Sequence, residues 1–135
     1  MGQRFPEIGV DRDYGDRTLV ENKALVTKTI EEWWAFLTAA GWCLISWTRY
    51  GTLSRFIRVF NAVTIQNFSI EDALHAGERV YNLKRQFNIK HGITGKEDSL
   101  PQRLLTEPNR KSGNTVVKLN KTLPEYLKLR GWYKS

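Results

Sequence analysis

The strongest constraint on the fold of this chain is a helical repeat of apolar residues in three long segments. The first runs from Asn22 to Gly41, where the apolar positions recur at steps of three or four, with Lys28, Glu31 and Glu32 between them. These positions are Val26, Ile30, Trp33 and Leu37. Such spacing predicts an amphipathic helix with one buried stripe. Gly41 is predicted to close the helix, because glycine readily takes the left-handed conformation found at helix ends.

The second segment shows the same repeat over residues 53–63. Arg55 and Arg58 lie on one face of the predicted helix, and the apolar residues lie on another. The apolar set is Leu53, Phe56, Ile57 and Phe60. This segment is therefore predicted to be a second amphipathic helix.

The third segment is predicted to begin at Ser69, because Asp72 three positions later completes a capping arrangement. Gly92 is the predicted stop. The apolar stripe consists of Ile70, Ala73, Leu74, Gly77, Val80, Tyr81 and Phe87. Its small residues, together with Ala76, predict a close approach by another helix.

Two shorter helices are predicted near the C-terminus. Ser99 and Thr122 each precede a proline by two residues, as expected of a capping residue followed by a proline in the first helical turn. An extended stretch is predicted at residues 115–119, and an extended lead-in over residues 1–20. The sequence thus predicts an all-α fold: one compact helical domain over residues 21–135, with three main helices plus one or two short C-terminal helices.

Composition limits the size of the domain and the cellular location that can be expected. At 135 residues with 41% hydrophobic side chains, the chain can form one compact domain. No apolar run approaches the roughly 18 residues that a membrane-spanning helix needs. The charged N-terminus does not resemble a signal peptide. One cysteine excludes an internal disulfide framework and favours a reducing, cytoplasmic location.

The positive charge of the chain is concentrated in its C-terminal part. The net charge is +7, and residues 84–135 contain 12 Lys or Arg against 4 Asp or Glu. Such a basic region could contact nucleic acid, an acidic protein or anionic cofactor groups such as phosphates. It could equally be a solvated surface.

The single cysteine, Cys43, allows three interpretations. A lone cysteine is most often a small buried apolar residue. A catalytic thiol needs a nearby base, and only His75 and His91 are available. An iron–sulfur cluster usually takes four thiolates, so the other three ligands would have to come from elsewhere. The residues alone leave these alternatives open.

Two further places could bind a ligand. Asp98 and Ser99, next to the helix start predicted at Leu100, could bind an anion or cap that helix. Arg130 beside Trp132 could stack on a base or fix the C-terminal tail against the body of the domain. A glycine-rich phosphate loop is lacking, so the sequence does not support nucleotide binding.

Five segments of the chain, taken in order, resemble one known family. They read PEIGV, ENKALV, AAGWC, GERVYNLKRQFNIKHGITGKEDSLPQR and EYLKLRGW, and they extend from about Phe5 to Trp132. Together they resemble the C-terminal domain of the tungsten-dependent aldehyde ferredoxin oxidoreductases. The family's cysteine motif is Asp-x-x-Gly-Leu-Cys. Here Thr38 stands at the position of its aspartate, and Trp42 at that of its leucine.

The resemblance implies a cofactor site built from more than this segment. In that family a tungsten ion is held by two molybdopterin-type dithiolenes (a tungstopterin) beside a 4Fe–4S cluster. Three cluster cysteines come from the middle of the polypeptide and the fourth from the C-terminal motif. The resemblance therefore implies that Cys43 is a metal ligand and that Thr38, Gly41, Leu44 and Asp98 contribute to the cofactor site.

The resemblance also implies the activity and the partners. The complete enzyme would oxidise aldehydes to carboxylic acids and pass electrons to ferredoxin. The partner would be the N-terminal pterin-binding domain or subunit, and the chain alone is expected to hold no cofactor and to be inactive. The alternatives are a small basic helical module that binds nucleic acid or an acidic partner, and a degenerate relative with a structural role. Nucleic acid is the less expected partner.

Overall fold

A computed structural model of the chain describes residues 6–8, 20–43, 45, 52–108, 110, 113 and 115–132. Within these ranges the chain forms five α-helices and two turns of 3-10 helix. The α-helices are α1 (Lys23–Ala39), α2 (Leu53–Thr64), α3 (Ile70–Lys90), α4 (Gln102–Thr106) and α5 (Leu119–Arg130). The 3-10 turns are Pro6–Ile8 and Gly95–Glu97.

The predicted all-α class is confirmed. The described ranges contain no β-strand, and the predicted extended stretch amounts to an isolated β-bridge at Thr115. The three main helices lie where the apolar repeats predict them, whereas α5 has the same 12-residue length as α2. None of the described helices combines the length and the apolar character that crossing a bilayer requires.

The core is an aromatic cluster between α1 and α2. Trp33 and Phe36 of α1 meet Phe56 of α2 edge-on, with ring centroids 5.7 and 5.9 Å from that of Phe56. Phe60 and Phe68 extend the cluster beside Phe36. Each buried side chain of this size contributes about 1.5–3 kcal/mol through the hydrophobic effect. The cluster therefore holds α2 against α1 and fixes the end of α1 relative to the rest of the domain.

The predicted close helix approach occurs at Gly77 of α3. A Cβ atom added to Gly77 would lie 1.9 Å from the backbone oxygen of Glu32 in α1. The two backbones can touch only because glycine has no side chain. Ala73, one turn earlier on α3, is fully buried in the same contact region.

Helix ends follow the predictions at Gly41 and Ser69. Gly41 has φ +76°, and the amide of Trp42 donates to the carbonyl oxygen of Leu37 at 3.0 Å, as in a Schellman motif. At the start of α3, Ser69 accepts from the amide of Asp72 at 3.0 Å, and Asp72 accepts from the amide of Ser69 at 2.8 Å. The hydrogen bonds from Ser69 lower the pKa of Asp72.

The two predicted C-terminal caps are wrong. Helix α4 begins at Gln102 with no side-chain cap, and the Ser99 hydroxyl donates to the carbonyl of the next residue at 3.5 Å. Helix α5 begins at Leu119, three residues before Thr122, and Pro124 lies inside it. The reason is the i, i+4 spacing of Leu119, Leu123 and Leu127, which gives α5 a partly buried stripe that starts before the capping motif.

Two assignments to helix faces are also wrong. Phe87, predicted in the α3 stripe, is 61% exposed, and Arg85 is buried instead. Glu32, predicted on the polar side of α1, is buried. Both helices thus bury a charged residue, which the apolar repeat does not reveal.

Most of the predicted extended lead-in lies outside the described residues. The described part, the 3-10 turn at Pro6–Ile8, attaches to the start of α2. The Glu7 carboxylate accepts hydrogen bonds from the amides of Leu53, at 3.0 Å, and Ser54, at 3.3 Å. A carboxylate at this position satisfies free amides of the helix and complements its dipole.

Candidate functional site

The turn after α1 presents three of the predicted site residues next to one another. Thr38 is in the last turn of the helix, Gly41 makes the left-handed bend, and Cys43 follows with an exposed side chain. Between them, Trp42 packs edge-on against Phe56, with ring centroids 4.8 Å apart. The bend and this aromatic contact fix the backbone immediately before Cys43.

Exposure distinguishes among the interpretations of Cys43. An exposed thiol is not a small core residue, so the most common interpretation of a lone cysteine does not apply here. The two histidines are engaged within α3: His91 contacts the carbonyl oxygen of Phe87 through Nδ1 at 2.8 Å, and His75 lies 3.7–3.8 Å from Glu71 and Glu78. A ligand role remains chemically suitable for Cys43.

Thr38 is exposed on the last turn of α1. Its hydroxyl donates to the carbonyl oxygen of Trp34 at 2.8 Å. Because its hydrogen is used within the helix, the hydroxyl oxygen offers a ligand only lone pairs. Leu44, the other predicted residue of this turn, lies outside the described residues.

Asp98 lies away from the turn that contains Cys43. Both oxygens of its carboxylate accept from the guanidinium of Arg85, each at 2.7 Å, and the Arg85 side chain is only 9% exposed. The pair borders a cavity of about 570 Å³ that is also lined by Lys23 and Thr27 from the first half of α1. A 17-residue helix is about 25 Å long, so Asp98 lies toward the opposite end of α1 from Cys43.

The residues present can supply one metal ligand but not a complete metal site. Throughout the part of the chain that the structure describes, no group of three or more His, Cys, Asp or Glu is arranged to hold a metal ion. A single exposed thiol on a fixed turn suits one corner of a cluster whose other ligands come from elsewhere.

A buried charge cluster joins α1 to α5, and sequence reasoning missed it. The Arg130 side chain is fully buried. It donates to Glu31 and to Glu32, each at 2.9 Å, and to the hydroxyl of Tyr126 at 3.1 Å. Lys28 pairs with Glu32 at 2.6 Å. These five residues, here called the Arg130 cluster, connect positions up to 102 residues apart.

Aromatic rings enclose the Arg130 cluster. The Arg130 guanidinium carbon lies 4.4 Å from the ring centre of Tyr81 and 5.6 Å from that of Trp132. The indole N–H of Trp132 donates to Asn82 at 2.9 Å. Arg130 and Trp132 therefore fix residues 130–132 against the body of the domain, and this arrangement does not suit stacking on a base. A signal was present in the sequence: Arg130 and Tyr126 continue the i, i+4 row of α5 that includes Thr122.

Tyr81, which lies beside the Arg130 cluster, and Tyr126, which belongs to it, should ionise at a higher pH than an ordinary tyrosine. Burial, and then the Glu31 carboxylate, raise the pKa of Tyr81 to about 12. Burial also raises the pKa of Tyr126, whose hydroxyl donates to Glu31 at 2.6 Å. An unfolded tyrosine has a pKa near 10. The stabilisation from the protonated phenol is therefore complete below about pH 10 and is lost as the pH rises through 12.

Ultraviolet titration checks this prediction. Tyr81→Phe should remove a phenol that ionises near pH 12 and should flatten the fall in unfolding free energy between pH 10 and 12. If the phenol removed by the substitution ionises near pH 10, the Tyr81 side chain is solvated and the expected pKa is wrong.

Comparison with known proteins identifies the family. Residues 3–135 match the family described as aldehyde ferredoxin oxidoreductase, domains 2 and 3. The chain belongs to the aldehyde ferredoxin oxidoreductase family. It is 39% identical over 132 residues to the tungsten-containing aldehyde ferredoxin oxidoreductase of Pyrococcus abyssi, covering 94% of this chain and 21% of that relative. It is 43% identical over 102 residues to the enzyme of the same name from Thermococcus kodakarensis, covering 73% and 16%.

The match covers only part of the family's length. The chain spans about a fifth of the curated relatives it matches. No solved structure was found to match it. The resemblance inferred from the five sequence segments is thus confirmed at the level of the family and of its C-terminal region.

Proposed function

We propose that the chain acts as the C-terminal helical domain of a tungstopterin aldehyde:ferredoxin oxidoreductase and that Cys43 supplies one ligand of its 4Fe–4S cluster. The pterin-binding region and the other three thiolates would come from the remaining family sequence. Ferredoxin would be the electron acceptor of the complete enzyme. The isolated chain would be inactive.

The exposure of Cys43 on a fixed turn is the observation that supports this proposal. Cluster iron binds a thiolate, so the sulfur must be accessible to a group that lies outside this domain. The Gly41 bend and the Trp42–Phe56 contact hold the backbone of the turn in place before the cluster arrives. Preorganisation of this kind lowers the entropy lost when the ligand is immobilised.

The other predicted site residues would act in different ways. Thr38 would accept a hydrogen bond from the pterin, because its own hydrogen is donated to Trp34. Gly41 and Leu44 would shape the turn around the cluster. Asp98 would act indirectly by fixing the guanidinium of Arg85 at the cavity between α1 and α5. When bound, the tungstopterin and the cluster would supply the redox chemistry that converts an aldehyde and water into a carboxylic acid.

A hybrid protein tests the ligand role. In the Pyrococcus abyssi relative, the matching C-terminal region would be replaced by this chain. Iron and tungsten contents and the electron paramagnetic resonance spectrum of the reduced cluster would then be measured. We expect a 4Fe–4S signal in the hybrid and its loss in Cys43→Ala, because the cluster would lack one of its four thiolates.

Thr106→Ala is the control, since Thr106 is exposed on α4 and its hydroxyl donates to the carbonyl oxygen of Gln102 within that helix. This variant should retain the cluster signal and the iron content of the parent hybrid. An unchanged cluster in Cys43→Ala would refute the ligand assignment. A stoichiometric cluster in this chain alone would contradict the need for outside thiolates.

A further inference from the structure

Helix α2 ends differently from the other long helices. Helices α1, α3 and α5 are each followed within two residues by a glycine at positive φ, whereas α2 is followed by Ile65, with φ +56° and ψ +34°. A β-branched residue in this left-handed region is a genuine outlier, because its Cβ crowds the backbone. Glycine would close the helix without this strain.

The strained residue also leaves its side chain in solvent. Ile65 is 92% exposed, and Val63 and Val59 on the last turns of α2 are 77% and 43% exposed. Val59 and Val63 are four positions apart and therefore neighbours on one face. These three residues are here called the α2 patch. The isolated domain thus loses stability at Ile65 through backbone strain and gains no burial in return.

The left-handed turn belongs to the fold, since the amide of Gln66 donates to the carbonyl oxygen of Asn61 at 3.3 Å. Glycine would make the same turn, so an exposed isoleucine there indicates a use for the side chain. The first half of α2 is already occupied, because Leu53, Phe56 and Ile57 are buried in the core. The α2 patch, on the last turns, is consequently the part of this helix that another body can cover. An apolar pocket on a partner that received the Ile65 side chain would provide the hydrophobic stabilisation that the isolated domain lacks.

We infer that the α2 patch is the docking surface for the remaining polypeptide of the family fold, with Ile65 as the inserted side chain. The inference rests on the proposed function. The matched relatives contain about five times the length of this chain, so most of the family fold lies outside it. The polypeptide that brings the other cluster thiolates must approach Cys43.

The Cys43 turn lies near the α2 patch, so one polypeptide could both approach Cys43 and cover the patch. Trp42, the residue before Cys43, packs on Phe56 in the first half of α2, and the α2 patch covers the last turns of the same helix. A body that reaches Cys43 is therefore within one 12-residue helix, about 18 Å, of Ile65. The side chains of the patch are all apolar, so the partner surface that covers them should be apolar.

Opposite effects of one substitution test the inference. In the isolated chain, Ile65→Gly should raise the folded-to-unfolded ratio about threefold, because it relieves the backbone strain. In the hybrid with the Pyrococcus abyssi polypeptide, the same substitution should lower the denaturant midpoint of unfolding, because the inserted side chain is lost. Leu83→Ala, at an exposed apolar position of α3, is the matched control and should change both proteins little.

A photocrosslinking residue at Val63 identifies the occupant. We expect cross-links from this position to the Pyrococcus abyssi part of the hybrid, at apolar residues. Cross-links between two copies of the isolated chain, with a dimer in sedimentation that Ile65→Gly abolishes, would overturn the choice of occupant. A stabilising effect of Ile65→Gly in both proteins would overturn the docking role itself.

The cluster measurement keeps this inference separate from the proposed function. If Ile65→Gly has opposite effects in the two proteins while Cys43→Ala leaves the cluster intact, the docking surface stands and the ligand assignment fails. If Cys43→Ala abolishes the cluster while Ile65→Gly stabilises both proteins, the ligand assignment stands and the docking surface is elsewhere.

Discussion

Arg130→Ala should lower the free energy of unfolding by about 3–5 kcal/mol, the loss typical of removing one partner from a buried ion pair. The substitution would leave the carboxylates of Glu31 and Glu32 without the guanidinium that neutralises them. Lys28 would still pair with Glu32, and Glu31 would retain neutral hydroxyl partners such as Tyr126 but no cation of the Arg130 cluster in direct contact. A domain of this size is typically stable by about 5–15 kcal/mol, so the variant would approach its unfolding limit.

Urea unfolding followed by tryptophan fluorescence measures this loss. Arg103→Ala is the matched control, because Arg103 is 82% exposed and pairs with Glu107 on the surface. That control should change the stability by less than about 1 kcal/mol. Arg130→Lys should give an intermediate result, since a lysine keeps the charge but cannot bind both carboxylates through a planar fork. Equal losses for Arg130→Ala and Arg103→Ala would show that the Arg130 cluster does not stabilise the fold.

Gly77→Ala should lower the free energy of unfolding by about 3 kcal/mol, at the upper end of the usual cost of overpacking. The added Cβ would overlap the backbone oxygen of Glu32, so α1 and α3 would have to move apart. At an ordinary position in the middle of a helix, alanine instead of glycine stabilises by roughly 0.5–1 kcal/mol. The sign of the change in unfolding free energy therefore shows whether the two backbones touch.

Thermal or urea unfolding gives this sign directly, with Gln86→Ala on the exposed side of α3 as the control. A second effect is expected because Glu32 belongs both to the contact between α1 and α3 and to the Arg130 cluster. Separating α1 from α3 should displace Glu32 from Arg130, so the losses in the double variant Gly77→Ala with Arg130→Ala should be less than additive. Stabilisation by Gly77→Ala would contradict the close contact.

Much of the helical framework could be predicted from local sequence. The three apolar repeats identified α1, α2 and α3, and Gly41 and Ser69 marked boundaries that the structure confirms. These features depend on residues within about one or two helical turns of one another, which is why the sequence contains them. The small residue Gly77 likewise predicted a close helix contact, though not its partner.

Local rules failed where a longer pattern competed with them. The capping motif at Thr122 predicted a helix start, but the leucine row from Leu119 extends α5 through it. Burial of several apolar side chains outweighs one cap, which is worth roughly 1 kcal/mol. At Ile65 the chain departs from the glycine expected at a helix end, and departures of this kind tend to occur at functional sites.

Local sequence patterns predicted the three main helices, and the five family segments indicated membership in the aldehyde ferredoxin oxidoreductases, which the family match confirms. The burial of particular charges and the exposure of the Cys43 thiol could be read from the folded structure but not from these patterns. Glu32 and Arg130 are 98 positions apart, and Arg85 meets Asp98 across a loop. Helix periodicity says which residues share a face, but not which faces meet. Pairing across the core, and the exposure of Cys43, therefore follow from packing alone.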